Sequence, residues 1–352
     1  MHACLGVDEI VRLIAYELVY SSANATTVAL ARCRRSFEDP VLDVLWETRG
    51  GLLHLLKSLP GDVWNEGRYT VSAPTIYLSL SLNSLIRKAF TRLPTTLEWT
   101  RFRKYALRMR NLGASDGLDV PSPAVFSILQ LCAITKPLFP NIEIISLLSV
   151  GTSFPFIPLF LSPRTTTINI TFTGSGFSKA TAALAIAAFP TLCPNLQNIA
   201  LYTLQDPMIT TAVSGMLLAS NRNTLRSVVV DSPLTEEARD VVYTLPNLCR
   251  LWVVIERATS VPSAVLPNLT RLIIIRRHES DWLLFFRGAT LGRLEAVAFH
   301  SDSGQIGDFL QAFKKAALAI SIQNTLSKFH LQTSCSGTQT IPPSTHSHKL
   351  HP

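Results

Sequence analysis

The apolar positions of this chain follow two different periods. From Ile142 onward they repeat as L-x-x-L-x-L. The clearest copies are Leu248-Cys249-Arg250-Leu251-Trp252-Val253 and Leu269-Thr270-Arg271-Leu272-Ile273-Ile274, each preceded by Leu-Pro-Asn. The pattern recurs at Leu294, Val297, Phe299, at Leu225, Val228, Val230, at Leu196, Ile199, Leu201 and at Ile142, Ile145, Leu147, with fainter copies from Thr165 and Leu326. Alternation at the end of each copy predicts a short strand. The starts fall 21 to 32 residues apart, room for one strand and one returning helix. A unit of that size cannot bury its apolar face alone, so the copies must stack, strand beside strand. Helix-start signals fit between them: Asp206-Pro207, Thr235 followed by Glu236 and Glu237, and Ser178 before the Ala-rich stretch to Phe189.

From Leu5 to Trp46 the period changes to three and four. Ile10, Leu13, Ile14 and Leu18 make one apolar face of a helix that Asp8 caps. Asn24 caps a second helix with Val28, Leu30 and Ala31. After Phe37 and a break at Pro40, a third presents Leu42, Leu45 and Trp46. Three helices in so short a stretch enclose little interior, and a partner surface would complete it. The expected organisation is a helical segment over 1–46, a helical connector over 47–120, stacked repeats over 121–334 and a flexible tail over 335–352. No polar cap closes the last repeat after the helix expected over Gln305–Ile320 and the strand over Leu326–Leu331.

Composition narrows the function classes. At 352 residues and 47% hydrophobic, the chain buries a substantial core. Its six cysteines are scattered, with no C-x-x-C pair, which argues against a zinc site or a secreted disulfide framework and for a cytoplasmic or nuclear setting. Asp8, Glu9 and Arg12 interrupt any signal-peptide core. The uncharged stretch Ile144–Leu161 approaches spanning length, but Pro155 and Pro158 break it, so no membrane segment is expected. Of the net charge of +8, a notable share comes from Arg101, Arg103, Lys104, Arg108 and Arg110, around Phe102, Tyr105, Leu107 and Met109. Such a helix can follow a phosphate backbone or simply face solvent. The second reading is preferred, and nucleic acid is not expected as a partner, because no other basic cluster extends the stripe.

Candidate chemistry is thin. Gly174-Ser175-Gly176-Phe177-Ser178-Lys179 follows a strand but satisfies neither the P-loop nor the dinucleotide pattern. His300, Ser301 and Asp302 are consecutive, which scatters rather than aligns a triad. His346, His348 and His351 lie in the Pro- and Ser-rich tail. No catalytic residue, metal site or cofactor is expected, and the chain reads as a non-enzyme.

The leading residues Asp8-Glu9-Ile10, Leu30-Ala31-Arg32-Cys33, Phe37, Pro40 and Leu42-Asp43-Val44-Leu45-Trp46 resemble an F-box. Leu55–Trp64, Trp99–Ala106 and Arg110-Asn111-Leu112, followed by the irregular repeats, resemble the fungal F-box and leucine-rich-repeat families over nearly the full chain. The family usually carries Pro where this chain has Asp8, and an apolar residue near Thr27. The resemblance implies an α/β fold: a three-helix F-box-like segment followed by an irregular leucine-rich-repeat solenoid with a curved parallel sheet. It implies the substrate-recruiting subunit of an SCF-type ubiquitin ligase. The box would dock on the Skp adaptor, and through it on cullin, using Leu5, Val7, Glu9, Ile10, Leu13, Ile14, Leu18 and Trp46, while the repeats hold a client protein.

Alternation along each strand also reads out the face opposite the repeat leucines. Its rows begin Ile144, Thr167, Asn198, Ser227, Arg250, Arg271, Ala296, Lys328, then Ser146, Asn169, Ala200, Val229, Trp252, Ile273, Ala298, His330, then Leu148, Thr171, Tyr202, Asp231, Val254, Ile275, His300, Gln332. Val229, Trp252, Val254, Ile273 and Ile275, edged by Arg250 and Arg271, are expected to form one apolar patch that is either a client-binding hot spot or covered as core. A client would set an apolar side chain on Trp252 and a carboxylate or phosphate on the arginines.

Overall fold

A computed structural model describes residues 7–21, 23–48, 51–69, 85–113, 123–132, 137–147, 154–172, 178–202, 206–255, 264–276, 289–291, 294–301 and 328–333. Three helices lead: α1 (Asp8–Tyr20), α2 (Asn24–Cys33) and α3 (Arg35–Thr48). Their starts differ from those expected. Val7 and Ala23, not Asp8 and Asn24, are the cap positions, and neither makes a side-chain cap. Asp8 and Glu9 instead sit in the first turn, at the positive end of the α1 dipole. Pro40 lies inside α3 rather than breaking the chain before it. It forfeits one backbone donor, but the helix persists because Phe37, Val41 and Val44 on either side of it are buried with Val11 and Ala15 of α1.

The connector is not wholly helical. After α4 (Leu52–Leu56) an antiparallel pair, β1 (Trp64–Tyr69) and β2 (Leu85–Phe90), precedes α5 (Thr96–Ala106). Thr95 and Glu98 close a capping box at the start of α5. There follow β3 (Asn111–Gly113), α6 (Pro123–Cys132), β4 (Ile144–Leu147), β5 (Thr167–Thr171), α7 (Lys179–Ala187), α8 (Phe189–Leu192), β6 (Asn198–Tyr202), α9 (Pro207–Ala219), β7 (Ser227–Pro233) and α10 (Glu236–Tyr243). The last described elements are β8 (Arg250–Ile255), β9 (Ala264–Leu266), β10 (Arg271–Arg276), β11 (Ala289–Leu291), β12 (Ala296–Ser301) and β13 (Lys328–Thr333). Ser178, Asp206 and Thr235 cap α7, α9 and α10 as their positions predict.

Nine strands, β3, β4, β5, β6, β7, β8, β10, β12 and β13, form one parallel, unclosed sheet whose order follows the chain. The protein is thus α/β. The sheet begins at Asn111, ahead of the repeat boundary expected at 121, because Met109-Arg110-Asn111-Leu112 is a further copy of the repeat: Asn111 and Leu112 pair with Ile144 and Ile145. The returning segment also changes along the chain. Beyond β8, the described parts of two returns are the strands β9 and β11, which pair with each other.

Register aligns the repeats residue for residue. Leu112, Ile145, Ile168, Ile199, Val228, Leu251, Leu272, Val297 and Phe329 form one transverse row. Those from Leu112 to Leu272 are buried in a core shared with Ala185 and Ile186 of α7, Val213 and Leu217 of α9 and Val242 of α10. Each repeat is stitched to the one before by a single carbonyl that accepts two backbone N–H groups: Arg110, Glu143, Thr166, Gln197, Arg226, Cys249 and Thr270 in turn.

Side chains also tie successive repeats together, and the Asn of Leu-Pro-Asn-Leu does so from before the strand. Asn268 donates its side-chain amide to the Pro246 carbonyl at 2.8 Å, Asn247 to Asn223 at 2.8 Å, Asn195 to Pro163 at 3.1 Å and Asn141 to Leu107 at 2.7 Å. Each acceptor lies two residues before its own repeat start. Where the Asn is missing, a threonine makes the link instead: Thr224, at the Asn position, donates its Oγ1 to Leu196 O at 2.8 Å, and Thr165, one residue further on, donates to Ile142 O at 3.1 Å. That bond is why Thr165, fully buried, can hold a leucine position in a faint copy.

Candidate functional site

The helical segment carries a narrow inner face and a wide apolar outer one. Val11 and Ala15 turn inward, one helical turn apart. Val7, Leu13 and Ile14 remain exposed, Leu13 by 64%, with Ile10 half-buried beside them. Leu18 is half-buried, Glu9 is exposed, and Leu5 lies outside the described residues. Trp46 departs from the expected set. It packs against the main core and stacks on Tyr105 with ring centroids 4.9 Å apart, so it joins the helical segment to the connector instead of extending the α1 face.

At Thr27 a hydroxyl-bearing side chain occupies a buried position. It is 0% exposed, and its Oγ1 donates to Ala23 O at 3.1 Å in its own helix, so only methyl faces the interior. Tyr16, partly exposed, donates to Glu47 at 2.6 Å; burial first, and then that carboxylate, push its hydroxyl up to about 12.

The basic run 101–110 has a structural use. Arg108 donates to the carboxylates of Asp43 and Asp39 and to the Asp39 carbonyl, and Arg12 of α1 shares Asp43. Lys104 reaches Glu38 at 3.4 Å and Arg110 reaches Glu143 at 2.7 Å. Lys104, Arg108 and Arg110 are therefore paired within the chain, the first two across a seam from α5 and the turn after it to α3. Phe102 and Met109 are fully buried rather than available for stacking on bases. A helix that neutralises its charge internally is a poor phosphate-tracking stripe. No helix among the described residues is long and apolar enough to cross a membrane, and no group of metal-ligating side chains occurs among them. The loop Gly174–Phe177, residue Asp302 and the tail histidines lie outside the described residues.

On the face of the sheet away from the core, the first two rows expected from the sequence hold in the register of every described strand pair they cross. The third does not, because β7 bulges after Val229, setting Pro233 rather than Asp231 opposite Val254; Leu148 lies outside the described residues. The apolar patch is also smaller than expected. Val229 and Val254 are only 2% and 6% exposed, yet stand outside the main core. Tyr202 of β6 and Trp252 of β8, one strand away on either side, meet edge to face at 5.7 Å and so roof the β7 position that Val229 occupies. Trp252 and Ile273 are half-buried, Arg250 is half-buried and Arg271 exposed, while the side chain of Ile275 lies outside the described residues.

No family model, curated protein or solved structure matches the chain. The geometry alone therefore carries the functional argument. Sequence reasoning missed Tyr202 as a member of the patch, although its row position placed it one strand from Val229. It also missed Asn169, whose Oδ1 is buried with no hydrogen-bond partner; Arg250, expected at the edge of the patch, has its Nε buried in the same condition.

Proposed function

We propose that this chain is a non-catalytic adaptor of the F-box and leucine-rich-repeat kind, working in the cytoplasm or nucleus. In this reading α1 docks on the Skp adaptor of an SCF-type ubiquitin ligase, and so on cullin, while the stacked repeats recruit a client for ubiquitination. The observation that carries it is the outer stripe of α1. Val7, Leu13 and Ile14 are exposed with Ile10 half-buried beside them, on a helix already seated by Val11 and Ala15. An apolar stripe left outside the fold of its own chain marks an interaction surface. The seam through Arg108, Asp39 and Asp43 and the Trp46–Tyr105 stack supports the same reading, since it holds the docking helices in fixed relation to the sheet. The chain-ordered parallel sheet with its repeated rungs supports the solenoid.

Co-purification of the full chain with the Skp adaptor tests this. Ile10→Asp, Leu13→Asp and Ile14→Asp are expected to abolish capture without lowering the melting temperature, whereas Asp8→Pro, restoring the family's usual residue at an exposed position, is expected to strengthen it. Failure of the wild type and of Asp8→Pro to bind overturns the ligase assignment and leaves a repeat scaffold.

A further inference from the structure

The open sheet face holds features that a covered sheet would not. Parallel sheets ordinarily have both faces buried. Here the outward side chains Thr167, Asn169, Asn198, Ala200, Ser227 and Trp252 are all half-buried. Among the described residues of this face, the Asn169 Oδ1 acceptor and the Arg250 Nε donor are buried without hydrogen-bond partners. Neither atom is left so without cost, since a buried donor or acceptor loses its hydration and gains nothing in return. Arg250 and Trp252 are two apart on one strand and project from the same face, about 7 Å apart. Arg250 also lies close enough to Tyr202 for its charge to oppose the upward push that burial exerts on the phenol.

We propose that the strip from Asn169 to Arg250 binds an extended acidic peptide segment of a partner protein, with a carboxylate on Arg250 and a neighbouring apolar side chain on the Tyr202–Trp252 pair. Charge selects the partner, for Arg250 and Arg271 sit side by side in register. Geometry selects a carboxylate. An unused Nε–H beside the terminal N–H groups is the side-on edge by which a guanidinium grips two carboxylate oxygens. Rotation of Arg250 toward that anion satisfies the buried donor. Asn169 is three strands from Trp252 in the same row, a span of about 14 Å that an extended segment covers in about four residues. Its Oδ1 then accepts a backbone N–H from a segment crossing the strands. This deepens the adaptor reading by naming the client's chemistry, although it stands on the sheet alone.

The test is selection of a random linear peptide library on the immobilised full chain, followed by fluorescence anisotropy of the selected peptides. The expected consensus is Asp or Glu within a residue or two of an aromatic or large aliphatic side chain. Arg250→Gln is expected to weaken binding by at least about tenfold, near 1.4 kcal/mol, with an unchanged circular dichroism spectrum. Arg250→Glu is expected to turn the selection toward Lys- and Arg-bearing peptides. Lack of any enrichment, a consensus without an acid, or selected peptides indifferent to Arg250→Gln but lost on Leu13→Asp overturns the proposal. Skp-adaptor capture by Arg250→Gln remains intact in either case, so failure here is distinguishable from failure of the adaptor reading.

Discussion

Replacing Arg108 by Met keeps most of the aliphatic stem and removes the guanidinium that spans the seam. The cost is set by how dry each lost contact is. Asp39 is largely solvated, its side chain 74% exposed, so its ion pair is worth about 0–1 kcal/mol. The contact with Asp43 lies between side chains 14% and 31% exposed, where a charge-assisted hydrogen bond contributes about 1.5–3 kcal/mol. Asp43 keeps Arg12 after the substitution, which holds the loss below the roughly 3–5 kcal/mol of a fully orphaned buried charge. The expected destabilisation is therefore about 2 kcal/mol, read by urea unfolding followed by circular dichroism. A double-mutant cycle with Asp43→Asn should return a coupling of about 1 kcal/mol or more. A loss under about 0.5 kcal/mol with additive single effects would refute the claim that the seam holds the two parts together. If Arg108→Met instead left stability unchanged and weakened binding to duplex DNA, the basic run would have to be read as a nucleic-acid surface after all.

Three further outcomes are expected. Thr27→Val should hold or raise stability, within about 1 kcal/mol, because Ala23 O still accepts the Thr27 backbone N–H and only an in-helix hydroxyl bond is given up; thermal melting showing a larger loss would mean that the hydroxyl is needed elsewhere. Asn268→Asp puts an acceptor against the Pro246 carbonyl in place of a donor, so it should be more destabilising than Asn268→Ala, itself costing about 1 kcal/mol, and equal effects in urea would remove the rung from the account. Glu98 is held down to about 2, first by its hydrogen bond to Arg92 and then by the Thr95 backbone N–H. A depressed carboxyl stabilises the fold above its ordinary range and loses that contribution as pH falls toward 2, so the stability difference between wild type and Glu98→Gln should shrink on acidification and vanish near pH 2; a difference independent of pH would contradict this.

Much of the sheet was legible in the chain. Strand alternation is a local property, and a repeated L-x-x-L-x-L carries its own register, so the rows through Ser227, Arg250 and Arg271 and through Val229, Trp252 and Ile273 followed from spacing alone. The capped starts of α7, α9 and α10 were equally local. Tertiary structure decided what depends on distant neighbours. The face of α1 that is covered depends on Phe37, Val41 and Val44. Whether the basic run is solvated or paired depends on Asp39 and Asp43, more than sixty residues earlier. The bulge in β7 and the Tyr202–Trp252 pair settled for Val229 what spacing had left open between surface patch and covered core, and it is buried. Periodicity fixes which side of an element a residue occupies, whereas burial and charge compensation are set by whatever the fold brings to that side from elsewhere in the chain.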